Sequence, residues 1–230
     1  MRKVFLLTAT MVLVLTSSGV AIDEFDSRPG WTESETRPNR TRLLMLPTAR
    51  ALNAGEAYLM DINFFFPSAN IGLTDFINLG GGMSFFPWAP LEEQVKYLTG
   101  KVRVLSFDNI SLALAGTMYS IPDNDHDYGM GWAVTTLGPI THSLTVGLGY
   151  GYYDGELLRL PGIAIGGEVA VARDASLVAE AWFIDRESTY FSGAWRFVGK
   201  RLSVDVGWAL AVNEYGDGST MPIFTFMHHF

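Results

Sequence analysis

The sequence predicts an all-β protein, an antiparallel transmembrane β-barrel of about 12 strands, with 10 strands as the alternative. Three observations lead to this fold class. From about residue 42 onwards, apolar residues alternate with small or polar ones in segments of about 10 residues. Only 17% of the 230 residues are charged, below the ~25% typical of soluble domains. The body of the chain contains no apolar run of about 18 residues that would form a spanning helix.

Residues 1–21 have the pattern of a signal peptide. Arg2 and Lys3 form a charged start, residues 4–15 an apolar core, and Gly19–Ala21 a small-residue cleavage site. Removing this segment takes away two of the 16 basic residues and none of the 24 acidic ones, which leaves a net charge of −10. Such an acidic chain is a poor candidate for binding nucleic acid. The absence of cysteine excludes disulfides and lipid attachment at the cleavage site.

Residues 22–41 mix acidic and basic side chains with two prolines. We expect a flexible polar leader without packed structure. A role as a plug of the barrel, or a contact with a partner, is the open alternative. Residues 42–230 then form the barrel.

Eleven segments of this barrel have the alternation of a membrane-crossing strand. In segment 143–152, every second residue is Leu, Val or Tyr, and the others are Ser, Thr or Gly. Helical spacing fits such segments badly, and their glycines would destabilise helices. The predicted strands are 56–66, 75–86, 95–105, 109–120, 127–137, 143–152, 162–172, 175–184, 189–197, 202–210 and 221–230.

The connections between these strands predict an even strand count. Short connections, as at 107–108 and 173–174, alternate with longer and more acidic ones. This alternation is typical of a barrel with tight periplasmic turns on one side and loops on the other. Counting back from the C-terminus leaves one crossing to be found. Residues 42–46, which end at Pro47, are the candidate for the twelfth strand, and closure removes exposed sheet edges.

The apolar face of the strands carries aromatic residues near both ends. Two such belts are expected where a barrel meets lipid headgroups, although core packing in a β-sandwich is the alternative explanation. The loop-side belt consists of Phe85, Trp88, Tyr128, Tyr150 and Tyr152, and the turn-side belt of Phe64, Phe66, Trp195, Phe197 and Phe230.

The opposite face carries mostly small residues and a few charges of both signs. Such a face fits the inside of a narrow barrel, where enclosed charges need partners or water. We therefore predict a lumen charge network that either fills the barrel or lines a pore. Its members are Asp61, Lys101, Arg103, Glu168, Glu180, Arg196 and Asp205.

The last ten residues, 221–230, form an apolar strand that ends in phenylalanine. Phe224, Phe226, His228 and Phe230 fall on one face of it. This strand resembles the C-terminal signature of bacterial outer-membrane β-barrels as a class, with no particular member matched. The resemblance implies a Gram-negative-type cell, contact with outer-membrane lipids, and barrel-assembly machinery that recognises Phe226 and Phe230 as an assembly signal.

No catalytic, metal or cofactor site is predicted. His142 and Ser143 are adjacent on a strand, so their side chains point to opposite faces and cannot act together as base and nucleophile. The pair His228 and His229 has the same defect as a metal site. The aspartates of segment 122–127 lack the glycine and glutamate of a calcium loop, which favours a solvated acidic loop.

These observations favour a non-enzymatic outer-membrane barrel, either a narrow pore for small polar solutes or a structural membrane protein. About 12 strands make a barrel narrower than the 16–18-stranded general porins. A lipid-modifying enzyme and a surface-binding protein acting through acidic extracellular loops are the alternatives. The sequence leaves the oligomeric state open.

Overall fold

The computed structural model describes residues 37–122, 128–154, 156–157, 161–184, 188–213 and 218–230. The predicted signal peptide, the first part of the leader and the acidic residues 123–127 lie outside the described residues. Within the described part of the chain, no helix is long and apolar enough to cross a membrane.

The described strands form one closed antiparallel barrel. Its sheet runs from β6 through β5 to β1, continues with β13 and descends to β9 and β7, and β6 pairs with β7 to close it. The short β8 pairs only with the end of β7, so twelve strands build the wall, as predicted. The strands are β1 (Ala57–Ile62), β2 (Ser68–Gly72), β3 (Ile77–Met83), β4 (Lys96–Phe107), β5 (Ile110–Ser120), β6 (Tyr128–Leu137), β7 (His142–Tyr153), β8 (Glu156–Leu157), β9 (Gly162–Ala172), β10 (Ala175–Phe183), β11 (Ser188–Val198), β12 (Leu202–Asn213) and β13 (Gly218–His229).

The outward face of this wall is apolar, and the inward face is small and polar. Along β7, Val146, Leu148 and Tyr150 are exposed outwards, and Gly147 and Gly149 between them are buried. A water-soluble protein rarely exposes such a continuous apolar surface. The alternation of the sequence therefore matches a wall that faces lipid outside and packs against protein inside.

The two ends of the barrel differ. At one end, here called the short-turn end, β4 and β5 are joined by residues 108–109, and β9 and β10 by residues 173–174. Connections at the other end, the loop end, include the 12-residue segment 84–95. The first and last strands meet at the short-turn end, where the backbone N–H of Phe230 donates to the carbonyl of Ala57 at 2.8 Å.

The predicted strand 56–66 ends earlier in the structure, and the strand that follows it, β2, was not predicted. β1 ends at Ile62, and Asn63 and Phe64 adopt left-handed conformations with φ of 55° and 65°, which reverse the chain into β2. Phe64 and Phe66 consequently lie at the loop end and not in the turn-side belt. There Phe66 packs edge-on against Phe86 with ring centroids 5.9 Å apart.

The predicted crossing at 42–46 is not a strand. Leu43, Leu44 and Leu46 are 0–1% exposed and lie inside the barrel, and β2 provides the twelfth strand instead. The physical reason is the size of the inward residues. Beside Leu43, Leu44 and Leu46 the inner wall carries small residues such as Ala113, Ala164 and Ala194, so large apolar side chains from elsewhere in the chain fill the space there.

Residues 37–52, here called the inner hairpin, enter the lumen and turn back within it. The backbone N–H of Leu43 donates to the carbonyl of Leu46 at 2.8 Å, and that of Thr48 to the carbonyl of Thr41 at 3.0 Å. The hairpin and the inner wall share one apolar core inside the lumen. Its buried members are Leu43, Leu44, Leu46, Ala49, Ala113, Trp132, Val134, Ala164, Val178, Ala194 and Ile223.

Candidate functional site in the barrel lumen

Both arms of the inner hairpin are held near the short-turn end. Arg37 Nη1 donates to Glu168 Oε1 at 3.1 Å and to Ser176 Oγ at 2.8 Å. On the returning arm, the backbone N–H of Leu52 donates to Asn78 Oδ1 at 3.2 Å. Since the first arm is bound to β9 and β10 and the second to β3, the hairpin spans the width of the lumen.

A second ion pair joins the hairpin to the residue before β1. Arg40 pairs with Glu56, and Glu56 Oε2 also accepts from the backbone N–H of Asn53 at 2.6 Å. Burial raises the pKa of Glu56, but these hydrogen bonds and the Arg40 charge outweigh it and hold the pKa below its ordinary value of 4.5. Glu56 is therefore a carboxylate that closes the hairpin at neutral pH.

Arg196 on β11 is the centre of the charge cluster. Its side chain is 1% exposed. Its Nε and Nη2 donate to the two carboxylate oxygens of Asp205 at 2.8 and 3.0 Å, and its Nη1 donates to Glu168 Oε2 at 2.7 Å. Nη2 also donates to the carbonyl of Leu43 at 2.9 Å. One guanidinium thus connects three strands of the wall to the hairpin, with the bidentate geometry that arginine gives.

Two further charges of the wall contact the backbone of the hairpin. Lys101 Nζ donates to the carbonyls of Thr41 at 2.9 Å and Thr48 at 3.2 Å. Glu180 accepts from the backbone N–H groups of Met45 and Leu46, both at 3.0 Å at the closest oxygen. These bonds satisfy the polar groups of the turn, which a buried loop cannot leave unpaired.

The other two members of the predicted network lie apart from these five. Arg103 Nη2 donates to the carbonyl of Asp75 in the turn between β2 and β3 at 2.7 Å. Asp61 was predicted to point inwards, but Tyr58 and Met60 are buried inside, so alternation places Asp61 on the outward face. The prediction placed Asp61 opposite Phe64 and Phe66 on one strand. β1 ends at Ile62, four residues earlier than predicted, so those two phenylalanines do not fix its alternation.

A cavity of about 520 Å³ lies in the lumen beside the hairpin, and most of its lining residues are in the loop-end halves of their strands. Its floor includes Arg42, Met45, Lys101 and Glu180. Its wall is rich in aromatic and methionine side chains, namely Tyr58, Met60, Tyr97, Tyr119, Met130, Trp132, Trp182, Tyr190, Phe191 and Met221. The lumen therefore has two parts, one packed and one hollow.

Glycines on the inner wall give the aromatic side chains their positions. A Cβ atom on Gly149 would lie 2.4 Å from the Trp132 ring. The ring lies against bare backbone there and meets Trp182 edge-on, with centroids 5.1 Å apart. Trp182 Nε1 in turn donates to Glu180 Oε1 at 3.1 Å. This chain of contacts connects the cavity wall to the carboxylate that holds the hairpin tip.

The residues considered for chemistry do not assemble into a reactive site in the described part of the chain. His142 Nδ1 shares a hydrogen bond of 2.9 Å with Thr141 Oγ1. No group of three or more His, Cys, Asp or Glu side chains with the geometry to hold a metal ion occurs among the described residues. Phe226 and Phe230, the predicted assembly signal, are exposed on the outward face, and their role stays a prediction.

Sequence reasoning missed the arginines of the hairpin and the aromatic residues of the cavity. A signal for the first was present: Arg37, Arg40, Arg42 and Arg50 fall within 14 residues, in a chain whose predicted lumen carries more acids than bases. For the second, Trp132 and Trp182 are large residues on a face of small ones. Either pattern indicates that something other than water occupies the lumen.

Comparison with known proteins supports the architecture. No protein-family model and no curated protein matches the chain. A solved structure described as KdgM porin aligns with a TM-score of 0.52 and 8% identity, over 76% of this chain and 98% of that chain. A second, described as KdgM porin in complex with disordered oligogalacturonate, aligns with a TM-score of 0.50 and 8% identity, over 76% and 96%. At this identity the likeness shows the fold, and the resemblance to outer-membrane barrels is confirmed at that level.

Proposed function

We propose that this protein is a non-enzymatic outer-membrane pore for small solutes, with the inner hairpin as its internal constriction. The observation that carries the proposal is the division of the lumen. The loop-end half holds a cavity of about 520 Å³, and the short-turn half is filled by a single segment, residues 37–52. A barrel of 12 strands lies between 8-stranded barrels, which side chains fill, and 16-stranded ones, which are open channels.

The way in which the hairpin enters supports a movable constriction. Arg37 and Leu52, at its two ends, both bind residues near the short-turn end, so the segment can leave the lumen without unpairing any strand. Its tip donates backbone hydrogen bonds to Glu180, and Lys101 donates to the carbonyls of Thr41 and Thr48 on its two arms. Water replaces such bonds readily when a segment becomes solvated, because their net contribution is only about 0.5–1.5 kcal/mol each, or up to ~3 to a charged group.

Current through a planar bilayer tests this function. The refolded chain from residue 22 is compared with a variant that lacks residues 37–52 and with a control that lacks residues 22–36 but keeps the hairpin. We expect small or brief currents from the chain and the control, and a large continuous current from the variant without the hairpin. Heat-modifiable migration on a gel establishes that each variant has formed its barrel.

A structural membrane protein is the second candidate, and the apolar core inside the lumen favours it. Leu43 and Leu46 pack with Val134, Val178 and Ile223, which suits a permanent filling. In this case the variant without residues 37–52 fails to form a stable barrel, or forms one that conducts no more than the intact chain. Either result contradicts the pore.

A further inference from the structure

The cavity beside the inner hairpin has the dimensions and lining of a ligand site. Its volume of about 520 Å³ falls within the ~300–1,000 Å³ of small-molecule pockets. Such pockets are mostly apolar and aromatic, with a few polar groups that fix orientation. The cavity floor provides those polar groups, and the walls provide the apolar surface.

The walls are suited to a ring-sized apolar body. Trp132 and Trp182 meet edge-on at the base, with centroids 5.1 Å apart. Higher up, the rings of Tyr97 and Tyr119 lie 6.1 Å apart on neighbouring strands. Aromatic side chains bury large apolar areas and add about 0.5–1.5 kcal/mol when rings pair in such geometries. Met130 also lines the cavity and can adapt to the shape of an occupant.

Hydrogen-bond donors on the floor remain unused. A lysine ammonium has three protons, and Lys101 directs two of them to the carbonyls of Thr41 and Thr48. Arg42 donates to Met60 Sδ and to the carbonyl of Leu44, and its buried Nε has no partner among the described residues. Neither side chain forms an ion pair in the described part of the chain. Two cations therefore face the cavity without a carboxylate.

Among the described residues, the floor carries one carboxylate, Glu180, and it is already occupied. Glu180 accepts from Met45 N, Leu46 N and Trp182 Nε1 at 3.0–3.1 Å, which uses three of its about four acceptor positions. It stands on β10, and Lys101 stands on β4, five strands away around the barrel. The floor thus carries unused cationic donors on one side of the cavity. The carboxylate on the other side has almost no free acceptor position left for them.

We propose that this cavity binds an anionic amphiphile, a carboxylate carried on a ring-sized apolar body. The carboxylate accepts hydrogen bonds from Lys101 and Arg42, and the body lies against Trp132, Trp182 and the tyrosines above them. Binding of this kind requires no conduction. It goes beyond the pore function, and each can fail without the other.

The test uses a matched pair of probes, 4-(4-bromophenyl)butyrate and its uncharged amide, 4-(4-bromophenyl)butanamide. Bromine quenches tryptophan fluorescence, and two of the five tryptophans among the described residues line the cavity. The protein is refolded in phosphatidylcholine vesicles, where quenching by probe dissolved in lipid rises linearly and does not saturate. A hydrogen bond to a charged group is worth about 1.5–3 kcal/mol, so we expect saturable quenching with about ten-fold or greater preference for the carboxylate.

Two variants on one strand locate the preference. Lys101→Met removes one of the two cations of the floor, and Arg103→Met removes an equal charge that contacts the turn carbonyl of Asp75 outside the cavity. We expect the preference to fall to about two-fold or less with the first variant and to persist with the second. Equal binding of both probes to the intact protein, or linear quenching alone, overturns the proposal even if Lys101→Met does not fold. An equal loss of the preference in both variants also overturns it, because the preference would then depend on the net charge of the protein and not on contact with Lys101.

Discussion

Replacing Arg196 by methionine should destabilise the barrel more than any other single loss of charge in the lumen. The guanidinium is 1% exposed and donates three hydrogen bonds to the carboxylates of Asp205 and Glu168, at 2.7–3.0 Å. Removing one partner of a buried ion pair costs about 3–5 kcal/mol, because the other charge stays buried without compensation. Glu168 keeps Arg37, so the orphan is Asp205, and we expect a loss of about 3 kcal/mol.

Urea unfolding of the protein in lipid vesicles, followed by tryptophan fluorescence, measures this loss. The double variant Arg196→Met with Asp205→Leu removes both charges, and replacing a buried pair by apolar residues is often neutral or stabilising. We expect it to recover at least half of the loss. The reasoning is refuted if Arg196→Met unfolds within about 0.5 kcal/mol of the intact protein, or if the double variant is less stable than the single one.

Three further outcomes follow from the lipid face, the hairpin and the C-terminus. Val206→Arg puts a charge on the outward face and should cost about 2–4 kcal/mol, whereas Thr145→Ser inside should be mild; equal urea midpoints would mean that the faces are reversed. The lowered pKa of Glu56 means that its pair with Arg40 is intact above pH 4.5 and lost as the pH falls through the folded value. Bilayer current should therefore rise below about pH 4.5, and Glu56→Gln should show the raised current at every pH; a current independent of pH speaks against the hairpin as the constriction. Deleting Phe230 should lower the amount of protein in the outer membrane, and an unchanged amount would remove its role as an assembly signal.

Much of the wall follows from the sequence alone. Period-2 alternation depends only on local geometry, since successive side chains of a strand point to opposite faces. Strands such as β7 and β12 were therefore predicted to within about three residues at each end. The even count also followed, because it rests on the alternation of short and long connections and on closure.

The interior could not be read in this way, because it depends on contacts between distant residues. Leu43 and Leu46 are apolar whether they face lipid or fill a lumen, and only their packing against Val134 and Val178 decides between the two. The turn at Asn63 is a similar case, since a run of phenylalanines after it has strong strand propensity.

Small inward residues also conceal how tightly the wall is packed. Alternation places Gly207 among the small residues of the lumen face and gives it no special role. In the structure, a Cβ atom there would lie 2.0 Å from the carbonyl oxygen of Gly193 on the neighbouring strand. Close backbone approach of this kind is a property of the assembled sheet, which the sequence of one strand does not encode.

The central claim is that residues 37–52 occupy the short-turn half of the lumen, with the tip facing a cavity open towards the loop end. Because the chain contains no cysteine, single cysteines can report on it directly. Met45 at the tip is 48% exposed and its neighbour Leu44 is 1% exposed. In the folded protein, we expect a membrane-impermeant thiol reagent to label Met45→Cys rapidly and to leave Leu44→Cys unlabelled until urea unfolds the barrel. Equal labelling of both positions in the folded protein would contradict the claim, because the hairpin would then not be seated in the lumen.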